Sequence, residues 1–325
     1  MHAFVKTAKL NILLLLVLSV CAVSCAESNE DFADKLIATF QSKSINKGQI
    51  DWVEFSAKVQ ESARISKDSA IVTALTLNNN PHSWYKRGDL PLKGYYAQQI
   101  VNDSCASTGF FNSKLLRDVG YVRVPRFSSS LSGDQSGAKA YIAEIISKVK
   151  QQDRPGMKGW IIDLRGNGGG DMWPMLIALE PFLGEGVLGG FNDGEELQEW
   201  RLKSGAVYLD RQSQNSRFDV DPGQYKVVNG RAKIVVLING NTGSSGEAVA
   251  IALKSLKQVK YFGVKTHGFA TSNEIIPFPG GEYLILTTGF MQDIHGKQYP
   301  EGIHPDVLTC SVDQLREQVS NWLYK

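Results

Sequence analysis

Apolar residues recur at helical spacing through the first part of the chain. Phe32, Leu36, Ile37 and Phe40 fall three or four apart, Trp52, Phe55 and Val59 repeat the pattern, and Ile71, Leu75 and Leu77 follow it more loosely. This spacing predicts helix over much of residues 31–77. Asn78-Asn79-Asn80-Pro81-His82-Ser83 then ends the helical part, because Asn, Pro and Ser favour turns. The stretch from Trp84 to Val119 is mixed, with short strand-like pieces such as Gly94-Tyr95-Tyr96 and no long helix. From Gly120 onward, short apolar runs alternate with amphipathic stretches. Strands are predicted over 120–125, 160–164, 234–238, 259–263, 273–277 and 283–288, and helices over 138–149, 172–183, 247–256 and 312–323. Strands alternating with helices predict a βαβ core.

Composition adds limits. The chain has 325 residues, of which 42% are hydrophobic and 21% charged, with a formal net charge of +2. That is enough apolar material for a full core, and Lys and Arg are scattered without a basic block, so no nucleic-acid partner is expected. Lys6 and Lys9 precede an apolar run from Leu10 to Val20 and then the small residues Cys21-Ala22-Val23-Ser24-Cys25-Ala26. A basic start, a short apolar run and a small-residue end predict a signal peptide over 1–26 and an exported, periplasmic or secreted protein. The run is too short to favour a permanent transmembrane helix. Two ends fit it: cleavage after Ala26, or lipid attachment at Cys25. Past the leader, Cys105 and Cys310 fit one disulfide or two free thiols. Neither they nor the histidines have metal-ligand spacing, so no metal or cofactor is expected.

Two strand-turn-helix junctions carry candidate chemistry. Asp163-Leu164-Arg165-Gly166-Asn167-Gly168-Gly169-Gly170 follows a buried strand and exposes backbone N–H groups that could cradle an oxyanion or a phosphate. Its glycines do not have dinucleotide-binding spacing, and no acidic residue follows at the right distance. At the second junction, Asn241-Thr242-Gly243-Ser244-Ser245-Gly246-Glu247, a serine stands where a strand turns into a helix. That position presents a nucleophile beside free N–H groups. Taken alone it suits a helix N-cap better, with Glu247 completing a capping box, and Thr242 stands where an α/β-hydrolase elbow would have its first Gly.

Taken in order, these segments resemble the tail-specific (C-terminal processing) serine peptidase family. Trp160 to Gly170 resembles its "Asp-Leu-Arg-x-Asn-x-Gly-Gly" element, and Thr242 to Glu247 its Thr-x-Ser-x-x-Glu nucleophile segment. Tyr261 to Gly268 resembles its Gly-x-x-Thr-x-Gly turn, Gly302-Ile303-His304-Pro305-Asp306 its closing Gly-Ile-x-Pro-Asp, and Leu75 to Ser83 its helix ending in His-Ser. The resemblance implies Ser244 as nucleophile, with the Ser245 N–H and an N–H of the Gly-Gly pair, Gly169, as oxyanion donors. Many members use a lysine base, but that position is Phe269 here, and Lys265 is four residues out of register. The tricorn-core-like branch uses a histidine and a glutamate instead. His82 matches that histidine, Glu301 is the candidate orienting carboxylate, and Ser83 and Thr242 are candidate supporting residues. His267 is the best rival base, ahead of His295 and His304. The segment from Ser83 to Val119 is too short for the PDZ domain of the lysine branch.

The resulting expectation is an α/β fold: a crotonase/ClpP-like β-α spiral core over 119–325, preceded by a helical and mixed region over 27–118 that supplies His82. The expected activity is peptide hydrolysis through an acyl-enzyme on a peptide or protein substrate. Two alternatives stay open. One is a non-catalytic binder of apolar ligands, as in the interphotoreceptor retinoid-binding modules, and the other is an esterase-like acyl hydrolase. The sequence does not address oligomeric state.

Overall fold

The computed structural model describes residues 27–96, 118–129, 134–210, 218–219 and 225–325. The predicted leader and Cys105 lie outside these residues, whereas Cys310 is disulfide-bonded. No helix among the described residues is long and apolar enough to cross a membrane.

Three helices open the fold: α1 (Asn29–Lys43), α2 (Trp52–Ala63) and α3 (Lys67–Asn78). Each begins where a side-chain oxygen accepts an otherwise unpaired N–H: Ser28 from Asp31, Asp51 from Val53 and Glu54, and Ser66 from Ser69. Helix α3 ends at Asn79, whose left-handed φ of 48° stops it and starts the turn carrying His82. Strands β1 (Trp84–Arg87) and β2 (Leu90–Leu92) follow. The strand-like Gly94-Tyr95-Tyr96 is irregular chain; its Gly94 lies against the α3 backbone, where a Cβ would come within 2.6 Å of Thr76 N.

Next come β3 (Val119–Arg123), α4 (Ser136–Gln152), β4 (Gly159–Asp163), α5 (Met172–Ala178) and α6 (Glu180–Leu183). The helix predicted over 172–183 is therefore two, broken at Leu179 just ahead of Pro181. Strands β5 (Gly186–Asn192), β6 (Leu197–Lys203), β7 (Ala206–Leu209) and β8 (Phe218–Asp219) form an antiparallel run that hydrophobic spacing did not reveal. The remaining elements are β9 (Lys233–Ile238), α7 (Ser245–Leu253), β10 (Val259–Gly263), β11 (Thr271–Phe278), β12 (Glu282–Gln292), β13 (Val307–Leu308) and α8 (Val312–Tyr324).

The fold is mixed α/β, as expected, with a small N-terminal helical region. One sheet is parallel, in the order β13-β10-β9-β4-β3. Its side chains alternate between two apolar layers. Trp160, Ile162, Ile234 and Val236 pack into the main core with α4, α5 and α7, while Ile161, Val235, Leu237 and Phe262 pack on Leu315, Val319 and Leu323 of α8. The second sheet, β2-β1-β12-β5-β6-β7-β8 with β11 also on β12, is antiparallel. Helices α1–α3 bury Phe32, Leu36, Phe40, Phe55 and Leu75 against Tyr85, Phe278, Leu284 and Leu286 of this sheet. The helical region is thereby clamped to β1, β11 and β12, which sets the place of the α3–β1 turn.

Candidate functional site

Strands β4 and β9 are parallel neighbours, so the two turns that leave them lie side by side at one sheet edge. Hydrogen bonds lock these turns together. The Thr242 hydroxyl donates to Leu164 O at 2.9 Å, and Gly243 N donates to Asn167 O at 3.0 Å. The buried Asn167 side chain donates to Val124 O at 3.1 Å, and its Oδ1 accepts the Gly169 N–H at 3.1 Å. Gly246 is needed for this approach, since a Cβ there would lie 2.1 Å from Asn167 O.

Ser244 stands at the corner between β9 and α7 with φ 51° and ψ −118°. A capping serine takes extended, negative-φ backbone, as Ser28, Ser66 and Ser311 do here. Ser244 does sit in a capping box with Glu247, yet the cap alone does not require this strained conformation. Non-glycine residues held at such angles concentrate at functional sites. Gly169 is the close neighbour: a Cβ on it would lie 2.8 Å from Ser244 Cβ and 3.1 Å from Ser245 N. Ser245 is the first residue of α7, so its N–H has no intrahelical acceptor. Its hydroxyl donates to Gly170 O at 2.6 Å, which fixes the Gly169-Gly170 turn against the helix start.

Beneath the corner lies Glu247, fully buried. Its Oε2 accepts the N–H groups of Ser244 at 3.0 Å and Phe269 at 2.7 Å, and its Oε1 accepts the Thr266 hydroxyl at 2.6 Å and the Gly268 N–H at 2.9 Å. Burial raises its pKa against the pull of these four donors. One carboxylate therefore joins the serine corner to the 266–269 turn.

That turn meets His82. The His82 ring stacks on Phe269 with centroids 4.6 Å apart and planes 7° apart, and His267 packs edge-on against the same ring at 4.2 Å. The Phe269 ring is thus a platform for an imidazole. His82 Nδ1 lies 2.7 Å from the Thr271 hydroxyl, and its backbone N–H donates to Asn80 Oδ1 at 3.0 Å. Burial, and then the like charge of His267, push the imidazole down from 6.5 to about 4. Among the described residues, no hydrogen bond joins the Ser244 hydroxyl to either imidazole. Apo catalytic contacts are often long and tighten with substrate.

The other sequence candidates fall into two groups. Ser83 and Thr242 are buried structural links: Ser83 Oγ accepts Thr287 N at 3.0 Å and ties the His82 turn to β12. Glu301 departs from the expectation. It is exposed, its carboxylate makes no hydrogen bond to His82, and Thr271 stands at Nδ1 instead. The reason is the tight Gly268–Gly302 contact, which brings Glu301's backbone oxygen toward the turn: a Cβ on Gly268 would lie 3.1 Å from it. His295 and His304 are exposed. Sequence reading missed Thr271, for which no local signal existed, and treated Glu247 as a cap, although the Thr-x-Ser-x-x-Glu spacing contained it.

Comparison with known proteins places the chain in a family. The chain is 31% identical over 210 residues to a nisin-resistance protein of Lactococcus lactis, a match covering 61% of this chain and 60% of that one. It is 29% identical over 192 residues to a carboxy-terminal-processing protease of Bartonella bacilliformis, covering 59% and 38%. The matched part thus spans less than two thirds of either relative. A solved structure of a lipoprotein from Streptococcus agalactiae shares the fold, with TM-score 0.65 at 22% identity over 91% of this chain and 96% of that one. Residues 118–309 match peptidase family S41, and the chain belongs to that family.

Proposed function

We propose that this protein is an exported serine peptidase, of the branch that uses histidine and lacks the lysine base and PDZ domain, with Ser244 as nucleophile and His82 as base. The observation that carries this reading is the strained Ser244 corner, which faces Gly169 and the Ser245 N–H and is tied through Glu247 to the turn bearing the His82–Phe269 stack. Family membership and the carboxy-terminal-processing relative support a peptidase over a binding module. The relative named for nisin resistance is consistent with export.

In this reading His82 Nδ1 bears its proton and donates to Thr271 Oγ1, which leaves Nε2 free to accept. Nε2 takes the hydroxyl proton as Ser244 Oγ bonds to the scissile carbonyl carbon. The Ser245 N–H holds the developing oxyanion. The Gly169 N–H is the second donor, sharing its bond to Asn167 Oδ1. His82 then protonates the departing amine as the C–N bond breaks, and water, deprotonated by the same nitrogen, releases the acyl group.

A fluorophosphonate probe is expected to label wild-type protein at Ser244, with the label located by peptide mass spectrometry. Labelling that persists in Ser244→Ala, or is absent in the wild type, removes the reading.

Two further outcomes follow from the imidazole's surroundings. A folded base titrating near 4 is neutral above about pH 5 and is protonated, and inactive, only below it. The acid limb of a kcat/KM profile should therefore lie near pH 4; a limb at 6 to 7 would indicate a solvated histidine. Thr271 is a positioning residue, so Thr271→Val should lower kcat about tenfold, the worth of one hydrogen bond, with little change in KM. Thr271→Ser should restore it, and a valine variant with full kcat would exclude the role.

A further inference from the structure

Beside the site is an open groove of about 440 Å³. Its walls continue the site on both sides: Trp173 lies on α5 just past the Gly169-Gly170 turn, and Ser272 follows Thr271 into β11. Trp173 and Phe191 form an edge-to-face aromatic wall at 6.3 Å. Asp193, Glu196 and Glu274 also line the groove, and no Lys or Arg does. Aromatic faces beside carboxylates are the surroundings that a cationic side chain favours.

The charge in the groove is partly committed and partly open. Glu274 pairs with Lys43 at 2.6 Å, and the neighbouring Glu195, outside the groove, pairs with Lys47 at 2.9 Å. Asp193 is held below its usual range by the N–H groups of Glu196 and Glu195, so it stays ionised. The Glu196 carboxylate makes no hydrogen bond or ion pair among the described residues, and it is exposed. Strands β11 and β5 flank β12 on opposite sides, since Phe290 pairs with both Thr271 and Asn192, so the groove crosses the sheet face between them, with Thr288 of β12 at its floor.

Building on the peptidase reading, we infer that this groove is a substrate subsite that receives a Lys or Arg side chain of an extended peptide. The peptide backbone runs past Thr271 toward Ser244, and the basic side chain sits between Trp173 and Glu196.

The test uses full-length Ser244→Ala protein and fluorescein-labelled octapeptides carrying Lys, norleucine or Glu at each position in turn, read by anisotropy. At one position the Lys peptide should bind at least about tenfold tighter than the Glu peptide, and the difference should shrink at high ionic strength. Glu196→Gln in the same background should reduce that ratio to about threefold or less. If no position prefers Lys, or if Glu196→Gln leaves the ratio intact, the inference is overturned. Binding is read without turnover, and fluorophosphonate labelling of the wild type reports the nucleophile separately. A Lys preference without labelling keeps the subsite and removes the peptidase; labelling without a preference does the reverse.

Discussion

Alanine in place of Ser244 should lower kcat/KM for peptide hydrolysis by about 10⁴-fold or more, because the proposed mechanism forms its acyl-enzyme on that hydroxyl alone. The fold should survive. The residue is partly exposed, and its conformation is strained, so a smaller side chain removes no core contact. The oxyanion donors and the bound geometry remain, which leaves a small residual rate. Initial rates on a fluorogenic peptide, with circular dichroism of the same samples, measure both quantities. Retention of more than about a tenth of wild-type kcat/KM would place the nucleophile elsewhere. His82→Ala should approach the same floor. The two losses should not add, since a serine without its base and a base without its serine fail at the same step.

The largest effect on stability is expected at Glu247. Alanine there leaves three backbone N–H groups and the Thr266 hydroxyl without their acceptor in a fully buried place. Buried donors that lose a partner are costly, and the expected destabilisation is about 3–5 kcal/mol. Gln is the informative comparison. It keeps one oxygen but turns an NH2 toward N–H donors, so it should fall between wild type and Ala. Urea unfolding followed by far-UV circular dichroism measures this. A loss below about 1 kcal/mol for Glu247→Ala would mean that water replaces the carboxylate and that the link between corner and turn is dispensable. Where the link matters, the surviving folded Gln variant should lose kcat as well, because the Phe269 platform under His82 is no longer held to the Ser244 corner.

This coupling shows how far a reading from sequence extends. The corner at Ser244 was legible without coordinates, because a serine between a buried strand and a helix has a local signature, but that signature also fits a helix cap and the proposed nucleophile role rests on the family motif. The turn at residues 163–170 was equally legible, since its glycines mark where backbone must pass close to backbone, as Gly169 does beside Ser244. The turn carrying His82 was legible in the Asn-Asn-Pro-His-Ser run that ends α3, whereas the base role proposed for it rests on the family resemblance. Glu301 illustrates the opposite case. Its nearness in sequence to Gly302-Ile303 suggested a carboxylate aimed at the imidazole, but side-chain direction depends on how the 299–303 turn packs on Thr266 and Gly268, and that packing turns the backbone toward the site. The antiparallel strands β5 to β7 escaped notice because glycines and alternating charges blur their period.

Short-range chemistry thus sets the strand-turn-helix order and the helix starts at Ser28, Asp51 and Ser66, because each needs only neighbours a few residues away. The partners of the imidazole are another matter. His82 and Thr271 are 189 residues apart in the chain and meet because helices α1–α3 are buried against β11 and β12. Glu247 and Phe269 are joined by the register of β9 on β10 and the turn that follows it. A hydrogen bond needs placement within a few tenths of an ångström, and only packing of distant elements provides it.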